Sequence, residues 1–223
     1  MPKTERVSTG IKGLDKLIDG GLVPGSATLI SGGAGCGKTI FCLQYTWDGL
    51  QKGEKVMYIT LEEKPEDIIG DAAGFGWDLK KYVDSGQLKI EYKDPFKVTD
   101  LTTPLINQLK AEGVARVVVD STSTMGLYFK DSFEVRKQLF KLLNAIKGNG
   151  MTAVVTAEIV EHDKKISRFG VEEFATDGVI ILRSVLLGTE ASRTLEVRKM
   201  RRTKIVGGTH TFEFGKNGIE VTD

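Results

Sequence analysis

The chain has 223 residues, with 31 Lys plus Arg against 30 Asp plus Glu, so its formal net charge is only +1. That balance excludes a protein that coats nucleic acid or an anionic membrane over its whole surface, and leaves room for a local basic patch. With 40% apolar and 27% charged residues it reads as a soluble globular chain: no apolar run approaches the ~18 residues of a membrane span, and Met1 to Ser8 shows no signal peptide.

Nine of the 26 glycines crowd between Gly10 and Gly37, which predicts backbone that turns sharply or comes close to a ligand. Ala27 to Ser31 predicts a buried strand. Lys38 to Lys52 predicts a helix, because Ile40, Leu43, Trp47 and Leu50 recur at three- and four-residue spacing, and Gly53 stops it. Lys55 to Leu61 predicts a strand. Pro65 opens a short helix, since proline suits the first helical turn. Leu88 to Tyr92 predicts a short strand, and Leu101 to Ala111 a helix ended by Gly113. Ala115 to Asp120 is a largely apolar run, as expected of a central parallel strand covered on both faces. Phe133 to Lys147 is amphipathic, with Val135, Leu139, Leu142, Leu143 and Ile146 on one side. Met151 to Thr156 and Val179 to Leu182 predict further strands. Beyond residue 184 the pattern is β only: Arg193 to Met200 and Thr209 to Phe214 predict a hairpin or meander around Gly207-Gly208. The repeated β–α–β order predicts an α/β fold, a mainly parallel sheet with helices on both faces and antiparallel strands added at one edge. The expectation is one domain over residues 1–223, with a core at about 8–184 and a C-terminal β region at about 185–223.

Residues 32 to 39 read Gly-Gly-Ala-Gly-Cys-Gly-Lys-Thr and satisfy G-x-x-x-x-G-K-[ST], the Walker A phosphate loop. Gly32, Gly33, Gly35 and Gly37 let backbone N–H groups point inward at phosphate oxygens. Ala34 and Cys36 occupy variable positions. The helix that begins with Lys38, Thr39 and Ile40 brings its positive end to the same anion. Lys38 reaches the β- and γ-phosphates, and Thr39 places a hydroxyl on Mg²⁺. Cys36 admits two readings, a redox-sensitive thiol at a helix N-terminus or a small side chain at a variable position. Cys42 is expected in the core. The two cysteines lie too close together for a disulfide scaffold, which points to a reducing, cytoplasmic setting.

A Walker A loop needs an acidic partner at the end of a neighbouring strand, and Arg116-Val117-Val118-Val119-Asp120 supplies it in Walker B form. Thr39 and Asp120 are therefore the expected Mg²⁺ residues. Hydrolysis also needs a group that polarises water. Glu62 and Glu63 follow their strand directly, at the edge where parallel sheets bind ligands. They read either as general bases or as solvated loop glutamates, Glu63 alternatively as a cap before Pro65. No His/Cys cluster has zinc-ligand spacing, so Mg²⁺ is the expected metal.

Ser8-Thr9-Gly10-Ile11, Gly13-Leu14-Asp15 and Gly20-Gly21 carry a family likeness. So do Thr60-Leu61-Glu62-Glu63, Phe75-Gly76-Trp77-Asp78-Leu79, Arg168-Phe169-Gly170-Val171-Glu172-Glu173-Phe174 and Ile180-Ile181-Leu182-Arg183. Through these segments the chain resembles the KaiC-like branch of RecA/RadA-type ATPases over nearly its whole length. The resemblance implies a RecA-like P-loop core and slow, Mg²⁺-dependent ATP hydrolysis. It also implies a homo-oligomeric ring, typically a hexamer, with ATP at subunit interfaces, and water activation by Glu62 and Glu63. Lys199-Met200-Arg201 resembles the family's Lys-x-Arg finger, which reaches the neighbour's nucleotide. There are departures. After that Arg the family commonly continues with Gly-Thr and then His; here Arg202 takes the Gly position, the His position falls on Ile205, and His210 lies five residues later. One ATPase module stands where the clock protein of this branch has two, so autokinase activity is not expected.

Between Arg193 and Lys204 six basic residues stand against Glu196 alone, a local charge of +5. This predicts either the ATP-facing edge of a ring interface or a nucleic-acid face. Strand alternation would send Lys199 and Arg201 to one side, Arg198 and Arg202 to the other. Glu161 to Phe169, with Lys164, Lys165 and Arg168, is a second DNA candidate or an ordinary flexible loop, and His162 in it is expected to be solvated. Two other functions remain open beside the ring ATPase: an ATP-gated scaffold with negligible turnover, read by a signalling protein, and a recombinase-like ATPase on single-stranded DNA.

Overall fold

The apolar runs of the sequence become a single nine-stranded sheet in the computed structural model, which describes residues 5–93, 103, 106–109, 113–129, 131–160, 163–187 and 190–222. In chain order the elements are α1 (Leu14–Leu17), β1 (Ala27–Gly32), α2 (Lys38–Gln51), β2 (Val56–Thr60), α3 (Pro65–Gly74), α4 (Leu79–Asp84) and β3 (Leu88–Tyr92). There follow β4 (Arg116–Asp120), a 3₁₀ turn (Thr122–Leu127), α5 (Ser132–Gly148), β5 (Thr152–Glu158) and α6 (Glu172–Ala175). The chain closes with β6 (Gly178–Leu187), β7 (Glu190–Met200), β8 (Thr209–Gly215) and β9 (Gly218–Val221).

The strand order is β3-β2-β4-β5-β1-β6-β7-β8-β9. The pairings from β3 to β6 are parallel, and those from β6 to β9 antiparallel. The expected α/β architecture with its antiparallel extension is present. Every residue of β1, β2 and β4 is buried, because helices cover both faces. Alternation sends Ile30, Tyr58, Val118, Val154 and Ile180 to one face, against Phe41 and Leu43 of α2. Leu29, Ile59, Val119, Val155 and Ile181 go to the other, beneath Leu139, Leu142, Leu143 and Ile146 of α5.

Gly10 has a mechanical role in the N-terminal segment. The Thr9 N–H and hydroxyl both donate to Asp15 Oδ1, at 3.0 and 2.7 Å. This folds the segment onto α2 so closely that a Cβ on Gly10 would lie 2.6 Å from Asp48 Cβ. Arg116, only 1% exposed, ties the layers together. Its guanidinium pairs with Asp48 and Glu54 and donates to the carbonyls of Ser8 and Tyr45, at 3.0 and 3.1 Å. That staple holds the second half of α2 against the start of β4.

Several elements exceed the sequence expectation. β5 runs on to Glu158, β6 runs from Gly178 to Leu187, and β9 is an additional strand. The expected helix Leu101 to Ala111 lies largely outside the described residues; those within it, 103 and 106–109, are helical. Among the described residues no helix is long and apolar enough to cross a membrane.

Candidate functional site

Because β1, β2, β4 and β5 are parallel, their carboxyl ends meet at one edge of the sheet, and the residues that leave them form the site. Gly32 ends β1 between Glu158 of β5 and Leu182 of β6. A Cβ on Gly32 would lie 2.7 Å from the Leu182 carbonyl, so only glycine fits there. The loop then curls back to Gly37, which caps α2 in the left-handed conformation at φ 93°. No side chain caps α2, so its first N–H groups depend on another acceptor. On the outer side of the loop, a Cβ added to Gly35 would touch nothing within 4 Å, and one on Gly33 would meet only Cys36 Sγ at 3.8 Å. Uncapped N–H groups, unpacked glycines and an adjacent lysine are the donor set of a phosphate cradle. Lys38 Nζ is held over the loop by the carbonyls of Gly32 and Gly33, at 3.0 and 2.9 Å. Thr39 and Ile40 follow in the first turn, half-buried, and Ala34 is exposed. Cys36 and Cys42 are both buried free thiols, and burial pushes the Cys42 thiol well above its ordinary range.

Asp120 ends β4 and is 7% exposed. Its Oδ2 accepts from the Tyr58 hydroxyl at 2.9 Å and its Oδ1 from the Thr156 hydroxyl at 2.5 Å. Glu62 and Glu63 leave β2, and the Thr60 hydroxyl accepts from both of their N–H groups. Glu62 Oε1 accepts from Ser121 Oγ at 2.5 Å. Burial raises the Glu62 carboxyl above its ordinary range, the Ser121 bond pulls it back, and the Asp120 and Glu158 charges push it up again. Burial and the Asp120 charge raise Glu63 in the same direction. Neither glutamate caps α3, whose N-cap is Lys64. The structure thus gathers the loop, Lys38, Thr39, Asp120, Glu62 and Glu63 at one edge, with Asp120 and Lys38 acting electrostatically on Glu62.

Glu158 was missed by the sequence reading, which ended β5 at Thr156. It stands beside Gly32 and lines a cleft of about 660 Å³ together with Gly33, Ala34, Cys36 and Arg183. That volume lies in the ~300–1,000 Å³ range of small-ligand sites. A carboxylate ending the strand next to the phosphate loop is a recognisable signal only once the strand order is known. Phe214 of β8 was also unforeseen: its ring packs against Gly37, and Arg193 stacks on that ring at 4.5 Å.

Lys199, Met200 and Arg201 are not brought to this edge. Met200 pairs with Gly178, which pairs with Thr28, four residues before Gly32, roughly 13 Å back along β1. Lys199 Nζ donates to the carbonyls of Glu173 and Thr176, at 3.0 and 2.6 Å. Burial and the neighbouring Arg201 charge lower its ammonium below the ordinary range. Arg201 pairs with Asp177 at 3.2 Å and is 59% exposed. Met200 packs against the α2-side core. The expected alternation of Lys199 and Arg201 against Arg198 and Arg202 does not hold. β7 stops at Met200, and Arg201 and Arg202 belong to a turn in which Arg202 has φ 57°. Arg198 instead pairs with Glu196 at 3.0 Å. Ile205, at the family's His position, packs against the core, and His210 lies on β8 opposite Leu195. Of the second basic segment, residues 161 and 162 lie outside the described residues. Within the rest, Ser31 Oγ donates to the Ile166 carbonyl and Ser167 Oγ donates to Glu172 at 2.7 Å, while Lys164, Lys165 and Arg168 are exposed.

A family model described as "ATPase: KaiC" matches residues 7–223. The chain belongs to the KaiC ATPase family. Membership in a family of ATPases supports ATP binding and hydrolysis in general, and the RecA-like fold agrees with it. The circadian clock oscillator protein KaiC of Prochlorococcus marinus subsp. pastoris is 37% identical over 98% of the chain and 45% of its own length. KaiC of Synechococcus elongatus is 37% identical over 97% of the chain and 44% of its own length. The chain therefore spans a little under half of these curated relatives. The crystal structure of a KaiC-like protein from the archaeon Pyrococcus horikoshii OT3 superimposes with a TM-score of 0.90 at 36% identity, covering 99% of this chain and 100% of that one.

Proposed function

We propose that the chain is a Mg²⁺-dependent ATPase that turns over slowly by itself and works as a homo-oligomeric ring with ATP between neighbouring copies. The observation that carries the chemistry is the phosphate cradle between β1 and α2 with Asp120 and Glu62 at the adjacent strand ends. Residues Gly32 to Ile40 hold the phosphates, with Lys38 leaving its two carbonyl partners for the β- and γ-oxygens. Thr39 and Asp120 hold Mg²⁺, which when bound screens charge on the transferring phosphoryl group. Among the described residues no three His, Cys, Asp or Glu side chains could hold a metal by themselves. That suits a cation that takes its remaining ligands from phosphate and water. Glu62 polarises the attacking water, with Glu63 beside it, and its raised proton affinity suits a general base.

The interface reading rests on a mismatch of position. Lys199 and Arg201 stand at the far edge of the sheet, too distant to serve their own phosphate loop, with Arg201 exposed and fixed by Asp177. A cation placed there serves a neighbour's nucleotide in a head-to-tail ring, and a hexamer is the ring the family likeness suggests. A signalling protein that reads the ring is the partner class we favour over DNA. Radiolabelled ATP turnover by the purified chain, alongside Lys38→Ala, tests the site. We expect hydrolysis that requires Mg²⁺ and is lost in the variant; equal hydrolysis by the variant would refute the assignment.

A further inference from the structure

The phenol of Tyr58 is fully buried on the α2 face of the sheet, beside Val118 of the neighbouring strand β4. A phenylalanine would fill that space equally well, so packing alone does not call for the hydroxyl. Its oxygen is spent on Asp120 Oδ2, at 2.9 Å. Thr156 does the same from the opposite side, donating to Oδ1 at 2.5 Å. The two donors come from β2 and β5, the strands that flank β4. Each carboxylate oxygen of Asp120 is thus fixed by a donor on a different strand. The terminal torsion of an aspartate is normally broad, so a free carboxylate samples many planes. Two donors on separate oxygens remove that freedom. A carboxylate offers about four acceptor positions, and two remain for a cation or its water shell.

We propose that Tyr58 and Thr156 are positioning residues that aim the Asp120 carboxylate at the Mg²⁺ of bound ATP and thereby set the Mg²⁺ affinity of the site. The inference rests on the ATPase reading above and adds what tunes its metal dependence. Partners that orient metal-facing side chains commonly change metal affinity by roughly 10–100-fold when removed. A carboxylate acting through the ion's water belongs at the low end of that range.

The test measures affinity for a fluorescent ATP analogue as Mg²⁺ is titrated, and again in EDTA, with melting temperature as the check on folding. Tyr58→Phe and Thr156→Val should each raise the half-saturating Mg²⁺ concentration by roughly 10-fold. Analogue affinity in EDTA should be unchanged, a split that general loosening of the core does not produce. Thr156→Ser, which keeps the hydroxyl, should behave like the wild type, and the contrast between Thr156→Val and Thr156→Ser preserves the test if Tyr58→Phe does not fold. Wild-type Mg²⁺ dependence in folded Tyr58→Phe and Thr156→Val would overturn the inference while leaving the ATPase reading intact. A wild-type chain whose analogue affinity ignores Mg²⁺ would overturn the inference, whereas a wild-type chain that binds no analogue at all would overturn the ATPase reading as well.

Discussion

Replacing Gly37 by alanine tests whether the C-terminal strands buttress the phosphate loop. Gly37 has φ 93°, where an L side chain costs about 1–2 kcal/mol. The added Cβ would also lie 2.6 Å from Phe214 Cζ and 2.8 Å from Cε1, so the ring must move. Overpacking of this kind costs about 1–3 kcal/mol, which brings Gly37→Ala to about 2–5 kcal/mol. Phe214 is only half-buried, so Phe214→Ala should cost less than the ~3–5 kcal/mol of a core phenylalanine. In the double variant the steric part disappears and the backbone part remains. The two changes should therefore couple favourably by about 1–3 kcal/mol. Urea midpoints at constant slope give the cycle, and ATP-analogue affinity reports the loop itself. Additive effects, or a Gly37→Ala chain as stable as the wild type, would refute the proposed contact.

The other predictions concern the base, the distant cation and the staple. Glu62 must lose its proton to act, and its raised proton affinity places the acid limb of hydrolysis above the ordinary glutamate range. Ser121→Ala removes a hydrogen bond that lowers it, so the limb should move to still higher pH; a limb that stays put or moves down in a pH–rate profile counts against Glu62. Arg201→Ala should leave ATP-analogue binding by the isolated chain largely intact and cut hydrolysis by about 10³-fold, the low end for a cation supplied in trans. Arg116→Leu removes the cation shared by Asp48 and Glu54 but leaves Asp48 paired with Lys52 and Glu54 a third exposed, so it should destabilise by somewhat less than the ~3–5 kcal/mol of a fully buried broken pair, read by thermal denaturation.

The glycine-rich loop between β1 and α2 was legible because its pattern lies in eight consecutive residues. The strand Arg116 to Asp120 and the buried side of α5 were legible for a similar reason, since apolar periodicity is a local signal. Glu158, Tyr58 and Thr156 were not. Each acts across the sheet on a residue distant in sequence, and only the order β2-β4-β5-β1 brings them to Asp120 or Gly32. The short helices α1, α4 and α6 offered too few turns for a period to show. The glycines before residue 25 could be read only as a resemblance, since their causes are separate close approaches: Gly10 to Asp48, Gly13 to Val221 and Gly21 to the Val7 carbonyl. The +5 cluster near residue 200 was found correctly as a concentration of charge, yet it does not form one face. Arg193 stacks on Phe214, Arg198 pairs with Glu196, and Lys199 and Arg201 turn toward α6 and Asp177. Alternation failed there because Arg198 is the extra residue of a register shift between the partners of Val179 and Ile180, and because the strand ends at Met200.

The claim that ATP is hydrolysed between copies is tested most directly by mixing two inactive variants, Lys38→Ala and Arg201→Ala, in equal amounts under conditions that allow exchange. Random head-to-tail assembly gives about one interface in four with both an intact phosphate loop and an intact Arg201. Hydrolysis should return to about a quarter of the wild-type rate per chain. Mixed particles, verified by mass, that show no recovery would contradict a site shared between neighbours.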